Sequence, residues 1–347
     1  MSYRELLDLN NLHEAFINSS RATHWKASVQ RYEAQELKNI FDLYTQLKDH
    51  TYSQRAFVEF DIWERGKKRH IKSIHINDRV LQRTLCDNVL IPAIRKYLIY
   101  DNGASIKGKG IDFTRRRVKA HLERYYRQYG REGYVLKIDF SKYFDNIDHA
   151  QLIRLFRKYI YDEEVLALVE YLIKTNNTPE SAGRGVGIGA QLSQIAGILY
   201  PSEIDNYCKI VRGCKYYGRY MDDTYIIHNN KAELIDILQN IRRISEGLGI
   251  VINEKKTQVI KLTNGFTFLK MRYRYTPTGR VLVIPVKATI TRERRKLRKL
   301  KKRCDSRLIT KQEIEAQYKS WRGTLTKYNT YKRIQATDTL YKTLFKE

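Results

Sequence analysis

The stretch Lys215-Tyr-Tyr-Gly-Arg-Tyr-Met-Asp-Asp-Thr-Tyr-Ile-Ile-His228 constrains this chain of 347 residues more than any other. Two β-prone arms, Tyr216 to Tyr220 and Thr224 to Ile227, flank a tight corner carrying Asp222 and Asp223. Aromatic and β-branched arms around a polar corner predict a β-hairpin. Adjacent acids at its tip repel one another, a cost that a cation placed there removes. An isolated Asp-Asp pair is usually only a solvated turn. The rest of the chain reverses that reading.

Lys+Arg 65 against Asp+Glu 38 gives a net charge of +27. An excess of this size predicts a polyanionic partner, either nucleic acid or an anionic membrane surface. No run approaches the roughly 18 apolar residues of a membrane span, so a soluble intracellular protein, without a membrane partner, is expected. The four cysteines (Cys86, Cys208, Cys214, Cys304) lack C-x-x-C spacing, and reduced buried thiols are the default.

The first 56 residues are helical and amphipathic, with Leu6, Leu7, Leu12, Ala15 and Phe16, then Leu37, Ile40, Phe41, Leu43 and Leu47 as apolar positions. They carry no chemistry and are expected to pack as an extension. From Phe57 the chain alternates like strand, and a hairpin is predicted with Lys67, Lys68 and Arg69 at its tip around Gly66. Asp78 opens a helix ending near Pro92. The loop Asn102–Gly110 carries Lys107 and Lys109 among glycines but lacks the Walker spacing. It is read as backbone able to approach a nucleic-acid strand closely.

Tyr134-Val-Leu-Lys-Ile-Asp-Phe140 alternates strictly, with Tyr134, Leu136, Ile138 and Phe140 on the core face and Val135, Lys137 and Asp139 opposite. A glycine-dense approach, Gly183–Gly189, leads into a helix striped by Leu192, Ile195, Ala196 and Leu199, with Pro201 as a kink. Further on, a single hairpin spans Phe266–Tyr275 and Arg280–Ile284. The order strand, helix, helix, hairpin, helix, strand fits an α+β split βαβ sheet with helices on one face. Asp139 then lies beside the Asp222–Asp223 hairpin. Beyond residue 285, nine of the twelve residues Arg292–Arg303 are basic, over a narrow stripe of Ile290, Leu297, Leu300, Cys304 and Leu308. Its self-repulsion favours a polyanion lying across it. A second helix follows through Ile314, Tyr318, Trp321 and Leu325.

Three carboxylates gathered from separate elements suit a two-metal site for phosphoryl transfer. Oxygen ligands without His or Cys favour magnesium over zinc. With Tyr220-Met-Asp-Asp223, Lys137–His149, Gly189-Ala-Gln-Leu-Ser-Gln194, Asn253-Glu-Lys-Lys-Thr257 and Phe268-Leu-Lys270 in this order, the chain resembles a reverse transcriptase from about residue 57 onward.

The resemblance implies a right-hand polymerase fold: fingers and palm interleaved over residues 57–285, and a helical basic thumb over 286–347. It implies two Mg²⁺ ions, for which Mn²⁺ can substitute, held by Asp139, the Phe140 backbone, Asp222 and Asp223. Lys256, in preference to Lys255, would assist pyrophosphate departure. Phe144 stands at the steric gate that selects deoxynucleotides. Lys67, Arg69, Phe140, Ile188, Gly189 and Gln194 would line the nucleotide site. Lys107, Lys109, Tyr220, Met221, Arg292, Arg295, Lys299 and Lys302 would meet the nucleic acid.

Within the family, Ile188-Gly-Ala-Gln-Leu-Ser-Gln194 replaces the intron-type Q-G-x-x-x-S-P and is similar to enzymes of diversity-generating retroelements. Ser320-Trp-Arg-Gly323 with Tyr328-Asn329 is similar to their C-terminal segment. That resemblance implies an error-prone bacterial or prophage-encoded enzyme making cDNA from an RNA template on a DNA or RNA primer, from dNTPs, with an accessory protein. Lys270 in place of glycine and Lys107 in place of arginine depart from the pattern. Retron and defence-associated enzymes are the neighbouring alternatives, and a non-catalytic RNA-binding protein on the same fold is the alternative of another class.

Overall fold

The computed structural model describes residues 2–64, 66–175, 183–187 and 189–345, without the side chains of Glu64, Lys67 and Arg69. The N-terminal residues form α1 (Leu9–Ser20), α2 (Ala27–Glu33) and α3 (Glu36–Lys48). Asp8 caps α1 by accepting from the Asn10 and Asn11 amides. Tyr3, Leu6, Leu12, Phe16, Ile40, Leu43 and Leu47 enter the same core as the residues around the carboxylates. Leu37 and Phe41, expected in that stripe, are 81% and 57% exposed instead. They lie beside the stripe of Ile40, Leu43 and Leu47, on the solvent side of its edge.

Next comes an antiparallel hairpin, β1 (Val58–Glu64) and β2 (Lys67–Ser73), turning at Gly66 with φ 78°. Lys67 closes the turn opposite Glu64, Lys68 and Arg69 follow along β2, and Lys68 pairs with Asp61 across the strands at 2.8 Å. The following helix, α4 (Ile76–Thr84), starts before Asp78 and is capped by His75. The helical run continues without a break to Ile94, two residues past Pro92. A π-helical turn over Leu85–Leu90 re-registers the ladder so that Ile91 donates to Cys86, and α5 (Ile91–Ile94) runs through the proline. The long α6 (Ile111–Tyr129) follows the glycine-rich loop.

The central sheet takes its strands from distant parts of the chain. β3 (Tyr134–Ile138) is followed by α7 (His149–Arg157), α8 (Glu163–Lys174), α9 (Gln191–Leu199) and α10 (Ser202–Asn206). Asp148 caps α7 through the Gln151 amide, as its spacing predicts. Then come β4 (Tyr217–Tyr220), β5 (Asp223–His228), α11 (Lys231–Gly247) and β6 (Gln258–Lys261). The sheet order β4-β5-β3-β6 puts β3 antiparallel between β5 and β6. Leu136, Ile138, Tyr217 and Ile226 point into the main helical core.

The opposite face is covered too, contrary to the expectation of helices on one face only. Val135, Tyr225 and Ile227 pack into a second core with Val118, Leu122 and Tyr125 of α6 and with a separate three-stranded sheet. That sheet is β7 (Phe266–Phe268), β8 (Met271–Tyr275) and β9 (Val281–Pro285). The single strand expected over 266–275 is thus broken in two. Leu269 and Lys270 form its tight turn at φ 44° and 64°, both left-handed, the geometry of a type I′ hairpin.

Three helices close the chain: α12 (Lys287–Asp305), α13 (Lys311–Leu325) and α14 (Tyr331–Phe345). Leu297, Leu300, Ile314, Tyr318, Tyr341 and Phe345 build a small core of their own. Leu308, expected in the α12 stripe, lies past the helix end and is exposed. The return from α13 is pinned to β9, where the Asn329 amide donates to Val283 O and Asn329 Oδ1 accepts from the Val283 amide. Tyr328 donates to Asp112 of α6 at 2.8 Å.

Candidate active site

Backbone pairing alone brings the acids together. Ile138 registers with Thr224, so Asp139 and Asp223 follow as the next residues on neighbouring strands. Alternation puts both on the face that carries Val135, Tyr225 and Ile227. Asp223 is not at the hairpin corner, as the sequence suggests, but is the first residue of β5, registered with Tyr220. The corner is Met221–Asp222. Met221 has φ 53°, a conformation that costs a residue with a Cβ about 1–2 kcal/mol. Such strain persists where surrounding structure enforces it.

The electrostatics follow from crowding. Burial pushes the Asp223 carboxyl up to about 6, with Asp222 and Asp139 adding to the shift and Lys137 and Lys256 opposing it. Burial likewise raises Asp222, and Asp139 adds to that shift. Lys256 Nζ donates to both oxygens of Asp139, at 2.8 and 2.9 Å, and this hydrogen bond raises the lysine's own pKa. The Asn253 amide donates to Asp139 O at 2.8 Å, which fixes the Asn253–Thr257 turn, and Lys256 with it, beside the carboxylates. Phe140 bridges Ile252 antiparallel. Lys137, on the same face as Asp139, was not singled out from the sequence. Its alternation with Asp139 was the available signal.

An all-oxygen cluster short of positive charge suits a hard divalent cation such as Mg²⁺. Among the described residues, no three His, Cys, Asp or Glu side chains are gathered as a ready metal site. The Lys256 ammonium takes both Asp139 oxygens instead.

Around the acids, Phe144 is half-buried against α9. A Cβ on Gly197 would lie 3.0 Å from the Phe144 ring and 3.4 Å from Met221 Sδ, so the helix approaches both because that residue is glycine. Tyr143 donates to Gly197 O at 2.7 Å. Gly189 has φ 127°, and a Cβ there would meet Lys72 O at 3.3 Å, which sets the α9 approach against β2. Gln194 is exposed and accepts from the Ser105 hydroxyl. Lys67 and Arg69 have β2 backbone opposite Glu64 and Ile62. Their side chains, and Ile188, lie outside the description.

In the glycine-rich loop, Lys107 is exposed, whereas Lys109 turns inward to Tyr100 O at 2.6 Å and stacks near Tyr100 and Phe113. Arg115 and Arg117 are also engaged internally, with Leu269 O and Asp101. Tyr220 and Met221 are partly buried at the hairpin tip. Arg292, Arg295, Lys299 and Lys302 are all exposed along α12.

Residues 48–273 match the reverse transcriptase (RNA-dependent DNA polymerase) family. The chain belongs to that family. It is 27% identical over 197 residues to protein YkfC of Escherichia coli strain K12, a stretch covering 45% of this chain and 52% of that protein. The chain therefore spans about half the length of this curated relative.

Among solved structures it is similar to apo telomerase from Candida tropicalis (TM-score 0.50, 14% identity, 64% of this chain and 47% of that one). It is also similar to telomerase from Candida albicans in complex with a fragment of telomeric RNA (TM-score 0.52, 12% identity, 86% and 62%). The fold is a right-hand polymerase fold. None of the described helices is long and apolar enough to cross a membrane.

Proposed function

We propose that this protein is an RNA-directed DNA polymerase that copies an RNA template into cDNA from dNTPs. The observation carrying the reading is the register that sets Asp139 beside Asp223 at the ends of β3 and β5, next to the Asp222 corner, with the Lys256 ammonium on Asp139. Asp139, the Phe140 carbonyl, Asp222 and Asp223 would hold two divalent cations, which supply charge neutralisation for in-line phosphoryl transfer when bound. Lys256 is placed to give a proton to departing pyrophosphate, and Phe144 to exclude a 2′-hydroxyl. The exposed cations of α12 act as a thumb that tracks the template–primer duplex through its phosphates. Residues 57–285 are then fingers and palm, and 286–347 the thumb. A solved relative holds a telomeric RNA fragment, which supports an RNA template here.

Within this activity we place the chain among error-prone enzymes of diversity-generating retroelements, working with an accessory protein in a bacterial cytoplasm. The support is the Gly189–Gln194 segment and the Ser320–Gly323 and Tyr328–Asn329 pattern.

Primer extension on RNA with Mg²⁺ and dNTPs, beside Asp222→Ala, tests both readings. Product lost in the variant supports the polymerase, and errors concentrated at template adenines support diversification. Accurate product overturns the subclass. No product with copurifying host RNA overturns the enzyme.

A further inference from the structure

Arg219 is 0% exposed and is the largest fully buried side chain among the described residues. Its guanidinium makes a fork on Asp205 of α10, with Nε–Oδ1 at 2.9 Å and Nη2–Oδ2 at 2.6 Å. Nη2 also donates to Ile198 O of α9 at 2.8 Å, and Nη1 donates to Met221 O at 3.1 Å. Its backbone holds the glycine-rich loop: the Arg219 amide donates to Asp101 O and the Gly103 amide to Arg219 O, both at 3.1 Å. One residue therefore joins α9, α10, the loop and the carbonyl of the strained corner that carries Asp222.

A buried ion pair is a weak source of net stability, because desolvation offsets the attraction, and apolar replacements of equal volume are often no less stable. Arg–carboxylate forks are, however, directional. The Arg219–Asp205 pair therefore has more to offer as geometry than as stability. The Met221 carbonyl accepts from Arg219 Nη1 and immediately precedes Asp222 in the turn.

We propose that Arg219, fixed by Asp205, is a positioning residue. It holds Met221 in its left-handed conformation and so aims Asp222 and Asp223 at their cations. This rests on the polymerase reading for its catalytic consequence, but not for its cation-binding one.

The test compares wild type, Arg219→Lys and the double variant Arg219→Met with Asp205→Leu. It uses thermal unfolding, calorimetric titration with Mn²⁺ alone, and primer extension. The double variant, which also strips the buried Tyr217 hydroxyl of its Asp205 acceptor, should unfold within about 10 °C of wild type. It should nevertheless bind Mn²⁺ about tenfold or more weakly, and its kcat should fall by about 10²-fold with KM for dNTP little changed. Arg219→Lys, which keeps charge but loses the fork, should show the same defects and carries the test if the double variant does not fold.

Wild-type Mn²⁺ affinity and kcat in a stably folded double variant, or in Arg219→Lys, would overturn the proposal. A wild-type protein that binds Mn²⁺ but extends no primer would instead overturn the polymerase reading, and the Mn²⁺ titrations would still judge Arg219.

Discussion

Lys256 Nζ lies within 2.9 Å of both carboxylate oxygens of Asp139, although 117 residues separate them in sequence. The lysine is more than half exposed, so the pair adds little to stability. Lys256→Gln should therefore leave the unfolding temperature nearly unchanged while kcat for dNTP addition falls about 10²-fold, the usual loss of a general acid. Steady-state kinetics beside a melting curve check this. A drop in stability with kcat intact would contradict it.

Asp223 offers a pH-dependent prediction. Its carboxyl sits near 6 in the fold against an ordinary 3.8, so the native state holds a proton that the unfolded chain releases. This residue therefore costs nothing below pH 4, costs progressively more up to pH 6, and costs a constant amount above that. In metal-free buffer at pH 8, Asp223→Asn should be more stable than wild type by about 1–3 kcal/mol. Urea titrations should show the gap closing as pH falls from 6 to 4. An equal gap at both pH values would refute the assignment.

Gly197 separates α9 from Phe144 by less than a methyl group needs. Gly197→Ala gains helix propensity worth about 1 kcal/mol but must displace the ring by a few tenths of an ångström. We expect near-neutral stability with kcat/KM for dNTPs reduced roughly tenfold, measured beside rNTP incorporation to register the moved gate. Gly323→Ala, in open space on α13, is the control and should leave turnover unchanged.

The exposed cations of α12 should act through phosphate contacts. Replacing Arg295, Lys299 and Lys302 together with glutamine should flatten the dependence of log Kd on log salt by about 2–3 for a template–primer duplex, with no change in sequence preference. An unchanged slope would place the duplex elsewhere.

Much of this site is legible in the sequence, because it rests on backbone periodicity. Strict alternation at Tyr134–Phe140 put Asp139 on a strand, and the flanking arms put Asp222 at a corner. What escaped depended on partners distant in sequence. Arg219 in the middle of an apolar strand gave a signal only as a charge in a core position, since Asp205, Ile198 and Met221 surround it only in three dimensions. The turn at Leu269–Lys270 was missed because neither residue type announces φ above zero. Its carbonyls are instead held from outside, Leu269 O by Arg115 and Lys270 O by the Val286 amide. α14 was also missed, although Ile334, Thr337, Tyr341 and Phe345 recur at helical spacing; Tyr341 stacks on Tyr318 at 4.4 Å.

The three C-terminal helices leave the small sheet after Pro285 and are pinned back to it at Val283 through Asn329. Two attachments lie on β9, two residues apart, and a third lies off it, where Tyr328 donates to Asp112 of α6. Three pins that are not in line leave a rigid body no free axis to turn about. The helices are therefore seated like a tripod: a load taken up by α12 passes both to the edge of the small sheet and to the long helix packed against the carboxylate-bearing sheet.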